Sequence, residues 1–485
     1  MLNKNQEKIG IVTALSAEGD GIVKDEDKVV FVPFSIVGEK IKYRILKVTS
    51  KCAYGKLLEV IIPSSERAVP ECKYFSKCGG CQLQHITYQK QLEIKRESIK
   101  NAFSKIAFLE VKPENVIIGE NKFRYRNKIS LPISQQGDKL NIGFYAENSH
   151  RVIDIDDCLI NPEWTSVLIK CTREYMQKYS LKGYDEFTNK GDVREITARE
   201  VSGNLIITLV SLSKMVKGIN DFVDILKQKL NKEFTLFLNY NPKNTNKIYG
   251  EEFFLIYGKA EQYGEMLGIK FPMGAQSFMQ VNFSVCEKLY SKVNELVGNS
   301  ENNVVIDGYS GAGLMTALLA KTAKKVYGIE IIPQAVEHAN ALAKENGLSE
   351  KIINYVGKCE SIMPDIITKE KQKKSEITLV LDPPRKGCEL SLIDAIIESD
   401  IDKIVYVSCK PTTLARDIGL LVGTLDRVDG QVKKSENPTC RYEIESVTPF
   451  EMFPETKHIE TVVCLKKLCN DLYIRRWHES FINRK

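Results

Sequence analysis

Residues 302–320, NNVVIDGYSGAGLMTALLA, read as a buried strand, a glycine-rich turn and a helix. This stretch decides the fold of the C-terminal half. Gly308, Gly311 and Gly313 let backbone approach a ligand at the start of the helix. KKVYGIEII (324–332) is a second strand ending in Glu330, 23 residues beyond Asp307, and a carboxylate at that spacing typically holds a ribose diol. The glycine turn alone is a weak signal, because G-x-G-x-x-G is not satisfied. Strand, turn, helix, strand and terminal carboxylate together predict a doubly wound parallel sheet with a nucleotide-type site. Dinucleotides and S-adenosylmethionine (SAM) share that geometry, so later strands must separate them.

The third strand, EITLVLDPPRKG (376–387), runs into Asp382, Pro383 and Pro384 at the edge where such sheets place ligands. The prolines donate no hydrogen bonds and fix the backbone as a ledge, which favours methyl transfer over hydride transfer. The fourth, KIVYVSCKPTTLARD (403–417), puts Cys409 at the same edge. A thiol there suits a carbon acceptor: C5 of a pyrimidine is a poor nucleophile until a thiolate adds to C6. Lys410 and Arg416 are expected to ease ionisation of that thiol, and a buried structural cysteine is the plain alternative. Removal of the C5 proton needs a base. EMFPETKHIETVVCL (451–465) offers Glu451, Glu455, His458 and Glu460 without choosing among them.

Upstream, the first ~63 residues carry β-branched runs at 10–14, 29–33, 41–49 and 56–62 between turn residues, predicting a small closed barrel. KIKYRILKV (40–48) alternates basic and apolar residues, giving the barrel one positive face, suited to RNA or simply solvated. ECKYFSKCGGCQLQH (71–85) holds Cys72, Cys78 and Cys81 with two glycines between the last pair, and Cys158 in DIDDCLINP would complete a Cys₄ set. That set fits a [4Fe–4S] cluster or a structural zinc, with unliganded core thiols as the remaining alternative. An amphipathic helix is expected over 88–105, with Leu92, Ile99 and Phe103 on one face. In FRYRNKISLPI (123–133), Arg124, Arg126 and Lys128 alternate with Phe123, Tyr125 and Ile129, which would set cations on one strand face for RNA phosphates.

The 485 residues, 43% hydrophobic and 27% charged, exceed one core and suggest about three domains at ~150 residues each, and they exclude a fibrous or wholly disordered protein. No apolar run approaches the ~20 residues of a membrane span, and the N-terminus has no apolar signal segment. A net charge of +6 permits an anionic partner. Thirteen cysteines without a secretion signal argue for thiol chemistry or a metal in a reducing, cytoplasmic setting.

ECKYFSKCGGCQLQHI, SFMQVN, DGYSGAG, LDPPRKG, YVSCKP and MFPETKHIE occur in that order, and together the chain resembles the class I SAM-dependent RNA (uracil-5-)-methyltransferases, in the group that modifies 23S ribosomal RNA. The resemblance implies an α/β multidomain chain: an OB-like TRAM barrel over 1–65, a central α+β RNA-binding domain with an iron–sulfur motif over 66–260, a Rossmann-like methyltransferase domain over 261–468 and an extension over 469–485. The helix near 88–105 would pack on the catalytic domain. By the same resemblance, Cys72, Cys78, Cys81 and Cys158 would hold a [4Fe–4S] cluster, and Gln280, Tyr309, Glu330 and Asp382 would contact SAM. Cys409 would be the nucleophile and Glu460 the base, in a monomer that binds RNA and no membrane. Leu314 and Met315 depart from the pattern beneath the cofactor, Lys358 departs near the adenine, and the basic, aromatic tail runs past the usual end. Transfer RNA is the competing substrate, although its bacterial enzymes commonly lack the barrel and the cluster cysteines. A non-catalytic iron–sulfur RNA-binding factor is the competing class.

Overall fold

Alternation of apolar and charged residues closes the N-terminal strands on themselves. In the computed structural model, which describes residues 2–468 apart from 17, 26–27 and 440, they are β1 (Glu7–Leu15), β2 (Gly21–Asp25), β3 (Lys28–Val32), β4 (Lys40–Val48) and β5 (Cys52–Ile62). They form a closed barrel in the order β1-β2-β3-β5-β4, filled by Val12, Val23, Val30, Ile41, Tyr43 and Ile45. The inward face of KIKYRILKV is apolar as expected. Its outward face is less positive than the spacing predicts, because Lys42 and Arg44 pair with Glu7 of the adjacent strand at 2.9 and 2.5 Å. The extension over 469–485 lies outside the described residues.

Helix α1 (Tyr88–Ala102) continues through a π-helical turn, Phe103–Ala107. Its apolar face does not pack on the central domain: Ile99, Ala102, Phe103 and Ala107 join the catalytic core beside Leu414 and Ile418. One helical position is charged and buried. Lys95 Nζ donates to Glu451 Oε1 at 2.5 Å and to the Phe453 carbonyl at 3.1 Å, with side-chain exposures of 2% and 0% for the pair. Removing one partner leaves the other charge stranded. Lys95→Ala should therefore cost about 3–5 kcal/mol in urea unfolding, while Lys95→Met with Glu451→Leu should recover most of it.

The central sheet comprises β6 (Lys128–Gln136), β7 (Lys139–Tyr145), β8 (Val152–Asp154), β9 (Val193–Val201), β10 (Asn204–Ser211), β11 (Phe234–Tyr240) and β12 (Glu252–Tyr257), in the order β12-β11-β10-β9-β6-β7-β8. Helices α2 (Trp164–Lys178) and α3 (Ile219–Lys229) share its core. FRYRNK is not the start of a strand: β6 begins only at Lys128, and Arg124 adopts a left-handed φ of 57°. Arg124 instead reaches Asp157 through two hydrogen bonds of 3.0 and 2.7 Å. The expected row of cations on one strand face is therefore absent.

A hairpin of β13 (Gln262–Met266) and β14 (Ile269–Met273) leads to α4 (Phe283–Val297) and the catalytic sheet. There β15 (Asn303–Gly308), β16 (Lys325–Glu330), β17 (Ile352–Val356), β18 (Glu376–Leu381) and β19 (Lys403–Ser408) are parallel and alternate with α5 (Leu314–Leu319), α6 (Pro333–Glu345), α7 (Cys359–Gln372), α8 (Leu390–Glu398) and α9 (Pro411–Val422). After the small hairpin β20 (Leu425–Val428) and β21 (Gln431–Lys434), antiparallel β22 (Tyr442–Phe450) and β23 (Glu460–Lys467) complete the order β17-β16-β15-β18-β19-β23-β22. Successive β15 residues face opposite cores: Val304 and Ile306 pack with α7–α9, Val305 with α4–α6. Strand order reverses at β15 and β18, so the ligand crevice lies beyond their C-terminal ends. No helix among the described residues is long and apolar enough to cross a membrane.

Candidate active site

The turn after β15 is shaped by backbone that side chains resist. Tyr309 has φ 69°, and a Cβ on Gly313 (φ 87°) would lie 2.7 Å from Ala339 Cβ. Tyr309 and Ser310 both donate N–H to the Ile329 carbonyl at 3.1 Å, tying the turn to β16. Glu330 at the end of β16 accepts from Gly311 N–H at 3.1 Å and Ile332 N–H at 2.9 Å, so its carboxylate lies against the glycine turn. Asp307, bonded by the Thr316 hydroxyl at 2.6 Å, is pushed up to about 7 by burial, with the Asp382 and Glu330 charges adding. Asp382 follows β18. Its side chain is exposed, yet the protein packed around it raises its carboxyl to about 6. Gln280 lies in the loop before α4, its carbonyl held by Asn127 Nδ2 of the central domain at 2.9 Å. Three carboxyls along one edge make this crevice favour a cationic ligand.

β19 and β23 pair antiparallel with Ser408 opposite Thr461, and Cys409 and Glu460 each lie one residue beyond that pair, at the sheet edge. Glu460 is buried, and burial pushes its carboxyl well above the usual range; Asp382 adds to the shift and Arg385 opposes it. The half-buried Cys409 thiol is also raised by burial, further by Glu460, and is relieved by Arg385. Arg385 was not among the residues singled out from the sequence, although it stands in the DPPRKG motif. Arg416, expected to assist the thiol, instead pairs with Asp417 at 2.6 Å.

The other acid–base candidates have other partners. Glu451 pairs with Lys95, and Glu455 accepts from Gln91 Nε2 at 3.1 Å while its carbonyl takes the Gln82 and Leu83 N–H groups. His458 lines the cleft with Cys409, but burial and neighbouring cations lower it to about 4, which keeps it neutral. Cys409 lines a cleft of about 1200 Å³ whose walls include the barrel (Leu15, Ser16, Gly19), α1 and residues 457–459. Lys90, Arg96, Lys100, Lys105, Lys112 and Lys410 line it together with Glu18, Glu93 and Glu97; Lys90 and Lys100 pair with Glu93 and Glu97, and the remaining surplus of cations suits a polyanion.

Residues 87–468 match the family described as tRNA (Uracil-5-)-methyltransferase. The chain belongs to this family. Residues 11–58, within the barrel, match the TRAM domain. An uncharacterized RNA methyltransferase of Clostridium tetani is 38% identical over 94% of this chain and 95% of its own length, and one of Clostridium acetobutylicum is 37% identical over 93% and 95%. Among solved structures, the tRNA (uracil-54, C5)-methyltransferase of Pyrococcus abyssi in complex with S-adenosyl-L-homocysteine is 25% identical, with a TM-score of 0.73 over 94% of this chain and 99% of that one. The chain is a SAM-dependent RNA uracil-5-methyltransferase.

In this methyltransferase Cys72, Cys78, Cys81 and Cys158 line one cavity of about 280 Å³. Arg124 fixes the fourth, donating to the Cys158 and Asn161 carbonyls at 3.0 and 2.9 Å besides pairing with Asp157. Among the described residues no three His, Cys, Asp or Glu side chains are arranged to hold a single metal ion. Four thiols lining one cavity form a donor set that suits either a cluster or zinc. Burial raises Cys158 to about 12 and also raises Cys78 and Cys81, so thiolates here require a cationic partner.

Proposed function

We propose that this enzyme methylates C5 of a uridine in 23S ribosomal RNA through a covalent bond between Cys409 and C6. The observation that carries this is the position of Cys409 and Glu460, each one residue beyond the Ser408–Thr461 pair of β19 and β23, with Cys409 and Arg385 lining a cleft rich in cations. Gln280, Tyr309, Glu330 and Asp382 would hold SAM, which when bound supplies an electrophilic methyl group. The cleft grips RNA by backbone and shape, and the uridine is flipped from its stack at a cost of a few kcal/mol. Cys409 sulfur bonds to C6, and the C5=C6 electrons shift to the O4 enolate. C5 would then bond to the methyl carbon as the methyl–sulfonium bond breaks, that electron pair leaving with the sulfur of the demethylated co-substrate. Glu460 accepts the C5 proton, the C5=C6 bond re-forms, and the thiolate leaves with the C6–S electrons. A carboxylate whose proton affinity lies well above the ordinary range is a suitable base near neutral pH.

The TRAM barrel together with the cysteine set supports the ribosomal substrate. The full-length likeness to a Pyrococcus abyssi tRNA methyltransferase favours a second reading, a transfer RNA uridine. Mapping 5-methyluridine in ribosomal and transfer RNA from a deletion strain separates them: loss from 23S RNA alone supports the first, loss from transfer RNA alone overturns it. Cys72, Cys78, Cys81 and Cys158 would bind a [4Fe–4S] cluster that braces the fold, since methyl transfer moves no net electrons. Anaerobically purified protein should be brown with about four irons per chain, and Cys78→Ser should lose colour and iron. One equivalent of zinc and no iron would contradict this assignment.

A further inference from the structure

Helix α9, which begins just after Cys409, also holds the loop that carries Arg385. The Thr413 hydroxyl lies 3.2 Å from the Arg385 carbonyl and 3.1 Å from that of Lys410, so its one proton is shared between the two loops. Arg416 donates through Nη2 to the Lys386 and Cys388 carbonyls, each at 3.1 Å. Asp417 is fully buried. Its Oδ2 accepts from Cys388 N–H at 2.8 Å and the Tyr406 hydroxyl at 2.5 Å, and its Oδ1 accepts from Arg416 Nε at 2.7 Å. Gly387 (φ 78°) threads through this clamp: a Cβ there would lie 2.5 Å from Asp417 Oδ2 and 2.7 Å from Arg416 Nη2. Arg385 and Cys409 line the cleft, whereas Thr413, Arg416 and Asp417 do not.

Desolvating the Asp417 carboxylate costs free energy that an ordinary surface loop need not spend. The clamp fixes backbone groups at residues 385, 386 and 388, immediately around the Arg385 guanidinium, which lines the same cleft as Cys409 and acts on both Cys409 and Glu460. A misplacement of about 1 Å at such a group can lower turnover 10²-fold. We propose that Thr413, Arg416 and Asp417 are positioning residues that lock residues 385–388 against α9, so that Arg385 stands beside Cys409 and Glu460. The proposal rests on Cys409 as nucleophile and deepens that reading.

The test uses the full-length enzyme and two readouts: alkylation of Cys409 by iodoacetamide, followed by peptide mass spectrometry, and kcat with KM for RNA. Asp417→Asn should slow Cys409 alkylation roughly tenfold and lower kcat about 10- to 100-fold, with KM for RNA little changed. Combining it with Arg385→Ala should bring no further loss beyond Arg385→Ala alone, because the clamp acts through that side chain. Additive losses, or alkylation at the unaltered rate, would overturn the proposal, since a merely structural role predicts independent effects. If Asp417→Asn does not fold, Thr413→Val and Arg416→Lys carry the same comparison. Alkylation reports thiol reactivity without turnover. A failed coupling therefore sinks the clamp alone, whereas methylation surviving in Cys409→Ala sinks the nucleophile.

Discussion

Cys409→Ala forms no covalent complex with RNA and makes no 5-methyluridine, while SAM still binds. The fall in rate should be on the order of 10⁴-fold or more, because removing a covalent nucleophile deletes the step that makes C5 reactive. SAM binding should survive because the residues proposed to hold it, Gln280, Tyr309, Glu330 and Asp382, are carried by other segments. The fold should survive as well: Cys409 is half-buried at a strand end, and trimming its side chain opens no core cavity. Isothermal titration with SAM and mass analysis of the RNA measure the two halves of this result. Residual methylation near the wild-type rate would remove Cys409 from the mechanism.

Glu460→Gln produces the opposite picture, a protein–RNA adduct that accumulates. The Glu460 charge raises the Cys409 thiol, so a neutral glutamine makes the thiolate easier to form, and attack on C6 is not slowed. Methyl transfer to C5 proceeds, but no carboxylate remains to take the C5 proton. Product release should slow by about 10²- to 10⁴-fold, the usual contribution of a general base. The swap is isosteric and removes a charge that burial already disfavours, so little stability should be lost. Denaturing gels with labelled RNA would display the trapped complex. Turnover at the normal rate would assign the base elsewhere, with His458 the remaining cleft-lining acid–base group of the four.

How legible this site is depends on how far each residue's partner lies along the chain. Gly308, Gly313, Glu330 and Asp382 are readable because a strand and the turn after it fix them locally. The four candidate bases in 451–460 look alike in sequence. What separates them is Lys95, Gln91 and the Gln82–Leu83 backbone, all more than 350 residues away. Arg385 sits in a recognisable motif, but its place beside the thiol depends on α9 drawing the loop back. Arg124 reads as part of an alternating strand until Asp157, 33 residues on, claims its guanidinium. The outward face of the barrel strand KIKYRILKV likewise looks uniformly basic until Glu7 is placed beside it. Patterns set by period and turn survive into the fold. Charge patterns change when a distant counter-ion arrives.

The central claim is the bond between Cys409 and C6, and RNA bearing 5-fluorouridine at the target tests it most directly. Once C5 carries both methyl and fluorine it has no proton for Glu460 to remove, so the thiolate cannot leave. Incubation with SAM followed by intact-mass and peptide analysis should show methylated RNA joined to the peptide containing Cys409. A methylated product released without any covalent complex, or a complex joined through another residue, would contradict the account.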